Sequence, residues 1–332
     1  MSYLKRRQFI GLLGGAAVWP LAARAQQDGL MRRIAWLMFL AESDPVAPPR
    51  VAAFERALQQ FGWMPGRNIL IDYRWNASNP DLMRRFAREL VELNPDVLLT
   101  NAGPLLRELA LQTEAIPIVF VVASHPVEYG EAKSVARPGR NITGFPSFEF
   151  SMGGKWLGLL KEAAPSVVRA GIIFNPETAS YAYQYLPVLE AAARSLSVSV
   201  IATPVRDTDQ LKRAVSQLGA EPGGGLIVIP DTFTITHRRI MIEVAAQHRL
   251  PAFYPFRLFV NDGGLFYYGT ETIELHRRAA SYVDRILRGK SPAELPIQYP
   301  TTFELVINLK TAKALGFDVP ATLLARADEV IE

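Results

Sequence analysis

Hydrophobic and polar positions follow two rhythms along this chain. Residues 33–39 (RIAWLMF) form a short unbroken apolar run, the mark of a strand covered on both faces. Residues 50–61 then repeat apolar side chains at helical spacing (Val51, Phe54, Leu58, Phe61) and stop before Gly62, a residue suited to closing a helix. The same exchange continues with strands expected at 68–73, 96–100 and 118–122 and helices at 81–93 and 105–113. Strands alternating with helices predict βαβ units and a parallel sheet.

The rhythm restarts further on. Strands are expected at 169–174, 197–202, 225–229 and 251–254, with helices at 179–195, 207–218 and 236–247. Two passages echo each other, AIPIVF at 115–120 and RLPAFY at 249–254, each with a proline at the mouth of a strand where its missing N–H does least harm. Between the two series lies RPGRNITGFP at 137–146, rich in turn formers and a candidate linker. The tail predicts a strand at 264–268, a long helix at 271–287 and a last strand at 303–309, with Pro292, Pro296 and Pro300 marking a further crossing between lobes. The expected class is α/β, with two Rossmann-like lobes joined by a multi-strand hinge. The expected division puts 30–143 and 256–299 in one lobe and 144–255 and 300–332 in the other, with Asn141, Thr143 and Gly144 at the hinge.

The N-terminus reads as an address. Lys5, Arg6 and Arg7 precede an apolar run, 10–23, that is too short for the about twenty residues a membrane helix needs and is interrupted by Gly11, Gly14, Gly15 and Pro20. It ends in Ala23-Arg24-Ala25, the small-x-small pattern of signal-peptide cleavage, so residues 1–25 are an expected leader and Gln26 the expected first residue of the exported chain. Arg6-Arg7-Gln8-Phe9 resembles a twin-arginine signal, leaving the Tat and Sec routes both open. Part of the net charge of +4 leaves with that segment, and a near-neutral chain carries no nucleic-acid footprint. The absence of cysteine excludes disulfides, iron–sulfur ligation and thiolate metal sites, and it leaves no lipid attachment point after the cleavage site.

Catalytic signatures are missing. The sequence has no GxGxxG after its first strand, no phosphate-binding Walker loop, no GxSxG elbow and no metal-ligand spacing among its four histidines, so neither cofactor nor metal is expected. Polar, aromatic and small residues collect instead just past the strand ends, where open parallel sheets hold their ligands. These are Ser43, Asp44, Asn101, Gly103, Ser124 and His125 in the first series, and Asn175, Asp231, Phe233 and Tyr254 in the second, joined by Tyr268. Several precede helices, whose free N–H groups favour a carboxylate, while Tyr181, Phe233, Tyr254 and Tyr268 suit an aromatic or branched apolar moiety.

The stretches SVARPGRNITGF (134–145), GKWLGLLKEAAP (154–165), FNP (174–176) and FELVINLKTAKALG (303–316) resemble the substrate-binding proteins of ABC transporters, in the group that includes tryptophan- and tyrosine-binding members. The resemblance covers 32–332 and implies a type I periplasmic-binding-protein architecture that closes on a small solute and serves an inner-membrane ABC permease. It implies a periplasmic protein without catalysis or cofactor, expected as a monomer and binding an amino acid or an aromatic or branched carboxylate. An exported enzyme on the same scaffold and a ligand-sensing module for a membrane receptor are the alternatives. Two positions depart from the family pattern: His125 stands where an Asp is common, and Arg140 where Gly is usual. Loss of that carboxylate removes a partner for a ligand ammonium group. A protonated His125 would attract a carboxylate, so affinity is expected to rise as pH falls through about 6.5.

Overall fold

The computed structural model describes residues 31–332 apart from 124 and 129. The expected leader and Ser124 therefore lie outside the described residues. Two separate sheets organise the chain. The first has the order β2-β1-β3-β4-β5, built from β1 (Arg32–Met38), β2 (Ile69–Trp75), β3 (Val97–Thr100), β4 (Ile118–Val121) and β5 (Ile142–Phe145). Every pairing in it is parallel. The apolar run at 33–39 sits at β1, flanked on both sides by other strands and buried from Ile34 onward, which is why it lacks alternation. The helices α1 (Ala47–Gln60), α2 (Pro80–Glu92) and α3 (Gly103–Gln112) connect these strands, and each carries proline in its first turn, where no N–H is missed. Asn79 caps α2 by accepting from the N–H groups of Asp81 and Leu82.

The second sheet has the order β12-β11-β10-β9-β8-β6-β7. Its strands are β6 (Arg169–Phe174), β7 (Ser199–Pro204), β8 (Gly224–Val228), β9 (Ala252–Tyr254), β10 (Phe266–Gly269), β11 (Glu304–Asn308) and β12 (Glu329–Ile331). All pairs are parallel except β10 with β11. Around it lie α4 (Met152–Ala163), α5 (Leu186–Leu196), α6 (Thr208–Gly219), α7 (Thr232–Thr236), α8 (Arg238–Gln247) and α9 (Arg257–Asn261). The two echoing prolines behave alike: the carbonyl of Pro117 accepts from Leu98 N–H and that of Pro251 from Leu226 N–H, so each residue gives the ladder the one group it has.

The chain passes between the sheets three times. After β5 it crosses at 146–151 into α4; after β10 it returns at 270–271 into α10 (Thr272–Leu287), which packs against the first sheet through Leu275, Ala279 and Val283 beside Trp36 and Phe54. Ile297 and Gln298 still bond to Val135 and Gly144 of the first unit, and 299–303 then crosses to β11. The last described helices are α11 (Leu309–Leu315) and α12 (Ala321–Leu324).

Several elements differ from the sequence reading. The segment 256–299, expected in one lobe, is divided: α9 and β10 stay with the second sheet because β10 pairs with β9 and β11, and only α10 onward packs on the first. Gly144, expected to open the second lobe, lies in β5 of the first sheet. The helix expected at 179–195 begins as a 3₁₀ segment, Ser180–Tyr185, and becomes α-helical only at Leu186, because Pro187 can donate no N–H to the preceding turn. The helix expected at 236–247 begins at Arg238 as α8, and a separate short helix, α7, precedes it, the two meeting at His237. No helix among the described residues is long and apolar enough to cross a membrane.

Candidate functional site

Parallel strands direct their carboxyl ends to one side of each sheet, and here the two sets of strand-end loops face each other across a seam. Within it Phe39, Asn101 and Val122 from the first unit meet Thr178, Tyr181 and Asp231 from the second around a cavity of about 30 Å³. That space holds one or two waters. A wider groove of about 410 Å³ opens at the mouth of the seam, lined by Ser43, Asp44, Thr236 and Arg238. Direct contacts bridge the seam: Ser78 Oγ lies 2.8 Å from Thr236 Oγ1, and Arg238 lies 3.6 Å from Asp44 while holding Asp262 at 2.7 Å.

Asp231 organises the second unit's side. It is 3% exposed, caps α7 through Phe233 N–H at 3.0 Å, and accepts from Asn175 N–H at 2.8 Å and Thr178 Oγ1 at 2.5 Å. One carboxylate thus ties the ends of β6 and β8 together. Burial pushes its pKa up from 3.8 to about 6, against the opposing hydrogen bonds of Thr178, Asn175 and Phe233. Asn175 itself turns its loop by accepting from Glu177 N–H, and the Tyr181 hydroxyl donates to the carbonyl of Pro230.

On the first unit's side Asn101 Oδ1 accepts from Phe39 N–H at 3.2 Å, which joins the exits of β1 and β3. Its Nδ2 is buried with no acceptor among the described residues, leaving a donor unspent beside the cavity. Gly103 opens α3, whose N-cap, Ala102, supplies no side-chain oxygen. Val122, on the cavity wall, has φ +65°, a conformation costly for a β-branched residue; backbone strain of this kind, about 1–3 kcal/mol, concentrates at functional sites.

His125 is 1% exposed with φ +61°; its ring stacks on Phe150 at 3.5 Å and its Nε2 lies 3.4 Å from the Tyr185 hydroxyl. Burial holds it down at about pKa 3, so it stays neutral at physiological pH. The expected attraction of a carboxylate below pH 6.5 is corrected accordingly: the ring is an apolar plate in an aromatic stack.

The other expected residues fall in different places. Phe233 is half-buried with its ring 4.3 Å from that of His237. Tyr254 is buried and stacked on Phe259 at 4.9 Å, and Tyr268 stacks on Phe303 at 5.8 Å; neither lines the seam cavity. Asn141 donates to the carbonyls of Thr113 and Ile116, Thr143 to that of Leu295, and Gly144 lies against Phe120. Sequence reasoning passed over Thr178, Val122 and Arg238. The signal for Thr178 was its place two residues after Asn175-Pro176; Arg238 gave none, since an arginine in a helix reads as solvated.

Two α/β units linked by three crossings, with loops from both enclosing one seam, define a two-lobe ligand-binding fold. Residues 42–331 match the family of ABC transporter substrate binding proteins, and the chain belongs to that family. Its members are binding proteins and not enzymes. A tyrosine-binding protein of Clostridioides difficile (strain R20291) is 26% identical over 262 residues, 79% of this chain and 75% of the relative. A conserved domain protein from Vibrio cholerae is 27% identical with a TM-score of 0.83, covering 90% of this chain and 99% of the other. At 21% identity, a domain from Streptococcus pneumonia, solved in complex with L-Trp, has a TM-score of 0.82 over the same shares and shares the fold.

Proposed function

We propose that this protein captures a small organic solute bearing a carboxylate in the seam between its two units, by closing about the three crossings. It works in the periplasm, exported with removal of residues 1–25, and delivers the solute to an inner-membrane ABC permease as a monomer. The observation that carries this reading is the pairing of an unspent buried donor, Asn101 Nδ2, with loops locked by Asp231 across one cavity. Phe39, Tyr181 and Phe256 supply apolar walls for an aromatic or branched body. The relatives described as tyrosine-binding and as an L-Trp complex support an aromatic solute. A cavity of about 30 Å³ is far below the about 300 Å³ at which small-molecule pockets begin, so the units must part to admit the solute.

The test is mass spectrometry of the small molecules that co-purify with the exported protein, followed by calorimetry of the compound found. Binding should fall about tenfold or more in Asn101→Ala, the loss expected for a buried hydrogen bond to a charged group. Scattering should show a smaller radius of gyration with ligand than without. Binding unaffected by Asn101→Ala, or an unchanged radius with binding confirmed, would overturn the reading.

A further inference from the structure

A second cavity, of about 370 Å³, lies beside the seam, between the start of α1, the turn from β9 into α9 and the crossing at 270–272. Val46 and Pro49 of the first unit face Phe256 and Leu258 of the second across it, and Ile273 closes one side. Most of that lining is apolar, yet Arg50 is set in it. Arg50 is 4% exposed; its Nη2 donates to Thr272 Oγ1 at 3.2 Å, and its Nε is buried with no acceptor among the described residues.

The acids whose charge reaches it are engaged elsewhere. Asp44 faces Arg238 at 3.6 Å, and Glu271 caps α10 by accepting from the N–H groups of Ile273 and Glu274. Arg257, also in the lining, pairs with Glu304 and Glu329. Burial lowers Arg50 to about pKa 10, which leaves it charged at neutral pH. A desolvated guanidinium with one hydrogen bond to its name is costly unless an anion completes it, and its planar fork fits a carboxylate.

We propose that this cavity is a second ligand site, distinct from the seam, that takes a small monocarboxylate with an apolar body, the carboxylate on Arg50 and the body against Val46, Phe256 and Leu258. Glu271 at the same wall disfavours a second negative charge on the ligand. An occupant touches both units and the crossing between them, so it favours the arrangement in which they are together. Phe256 also lines the seam cavity, which couples the two sites, and such coupling is reciprocal. The proposal does not depend on which solute the seam takes.

The experiment is calorimetry of the purified protein with isovalerate and benzoate, each against its primary amide, at about 10 mM, where even a millimolar site fills. Both carboxylates should bind, and the amides should bind at least about tenfold more weakly, as expected when a charge-assisted contact is lost. Arg50→Met should abolish binding. Ile273→Trp, which fills the cavity and leaves Arg50 in place, should abolish it too and decides the matter if Arg50→Met fails to fold. Asn101→Ala should leave it intact. No binding by the native protein, equal binding of acid and amide, or binding that survives Ile273→Trp would overturn the proposal. Loss in Asn101→Ala with retention in Arg50→Met would also overturn it, by placing the carboxylate in the seam.

Discussion

Replacing Asp231 by Asn isolates the cost of the buried carboxylate that holds the second unit's loops. The rise from 3.8 to about 6 amounts to about 3 kcal/mol between the two protonation states, at about 1.4 kcal/mol per unit. The folded state binds the proton more tightly than the unfolded chain, so this contribution is fully present below pH 3.8, falls as pH rises, and is gone above about pH 6. Asparagine does not titrate and removes that slope. It also turns an NH₂ group toward one of the three donors that Asp231 accepts, at a cost of about 1–3 kcal/mol for the donor left unpaired. Asp231→Asn should therefore be less stable than the native protein at about pH 4 by that amount. By about pH 8 the difference should have shifted by about 3 kcal/mol in the variant's favour, making the two equal or the variant more stable. Urea unfolding of both proteins at three pH values, followed by circular dichroism, reads this directly. A stability difference that stays constant across the range would refute the account of Asp231 as a buried, destabilised carboxylate.

Three further outcomes are expected. Solute affinity should have the same pH profile in the native protein and His125→Gln between about pH 5.5 and pH 8, because the buried ring stays neutral there; a rise at low pH confined to the native protein would contradict this. Gly144→Ala places a Cβ 2.1 Å from Phe120 O and 2.8 Å from Phe120 N, so it should cost about 3 kcal/mol or more, whereas Gly158→Ala meets nothing within 4 Å inside α4 and should gain about 0.5–1 kcal/mol; thermal unfolding of the pair would expose the error if the order were reversed. Intact-mass analysis of the exported protein should find Gln26 first, and full-length chain in the membrane fraction would count against the leader.

What could be read in the sequence depended on whether local chemistry or tertiary packing decides the outcome. The run at 33–39 was legible because a strand in the middle of a parallel sheet must be apolar on both faces, and the prolines at 117 and 251 because a missing N–H limits where they fit. Asn101, Gly103 and Asp231 were legible as polar or small residues at strand exits, which the parallel topology turns to one side. Tyr254 and Tyr268 were not: an aromatic at a strand end packs inward or faces a cleft according to its neighbours, and Phe259 and Phe303 were waiting for them. Arg50 and Arg238 were invisible for a related reason, since an arginine in a helix reads as solvated and only tertiary packing buries it, Arg50 against Thr272 of α10 and Arg238 between Asp44 and Asp262. The short β12 was missed because Glu329–Ile331 carries too little pattern to stand out from a terminus, yet it pairs with β11.

The anchoring of the first crossing bears on how the proposed closure would work. Asn141, Thr143 and Gly144 were expected to flex, yet each is held in place. Asn141 bonds two carbonyls at the start of β4's approach, the Thr143 hydroxyl donates to Leu295 O at 2.7 Å, and Gly144 lies so close to Phe120 that no Cβ fits. Leu295 belongs to the segment that leads into the third crossing, so that bond binds two crossings to one unit before either leaves it. Any change of backbone angle then falls on 146–151, 270–271 and 299–303, beyond those anchors. Against this, the exposed hydroxyl pair Ser78–Thr236 contributes no more than about 1 kcal/mol across the seam, and the largely buried Asp44–Arg238 pair, 3.6 Å apart, shares its arginine with Asp262 at 2.7 Å. A joint held firmly at its roots leaves opening and closing to the contacts at its mouth, and a solute that touches both units shifts that balance toward closure.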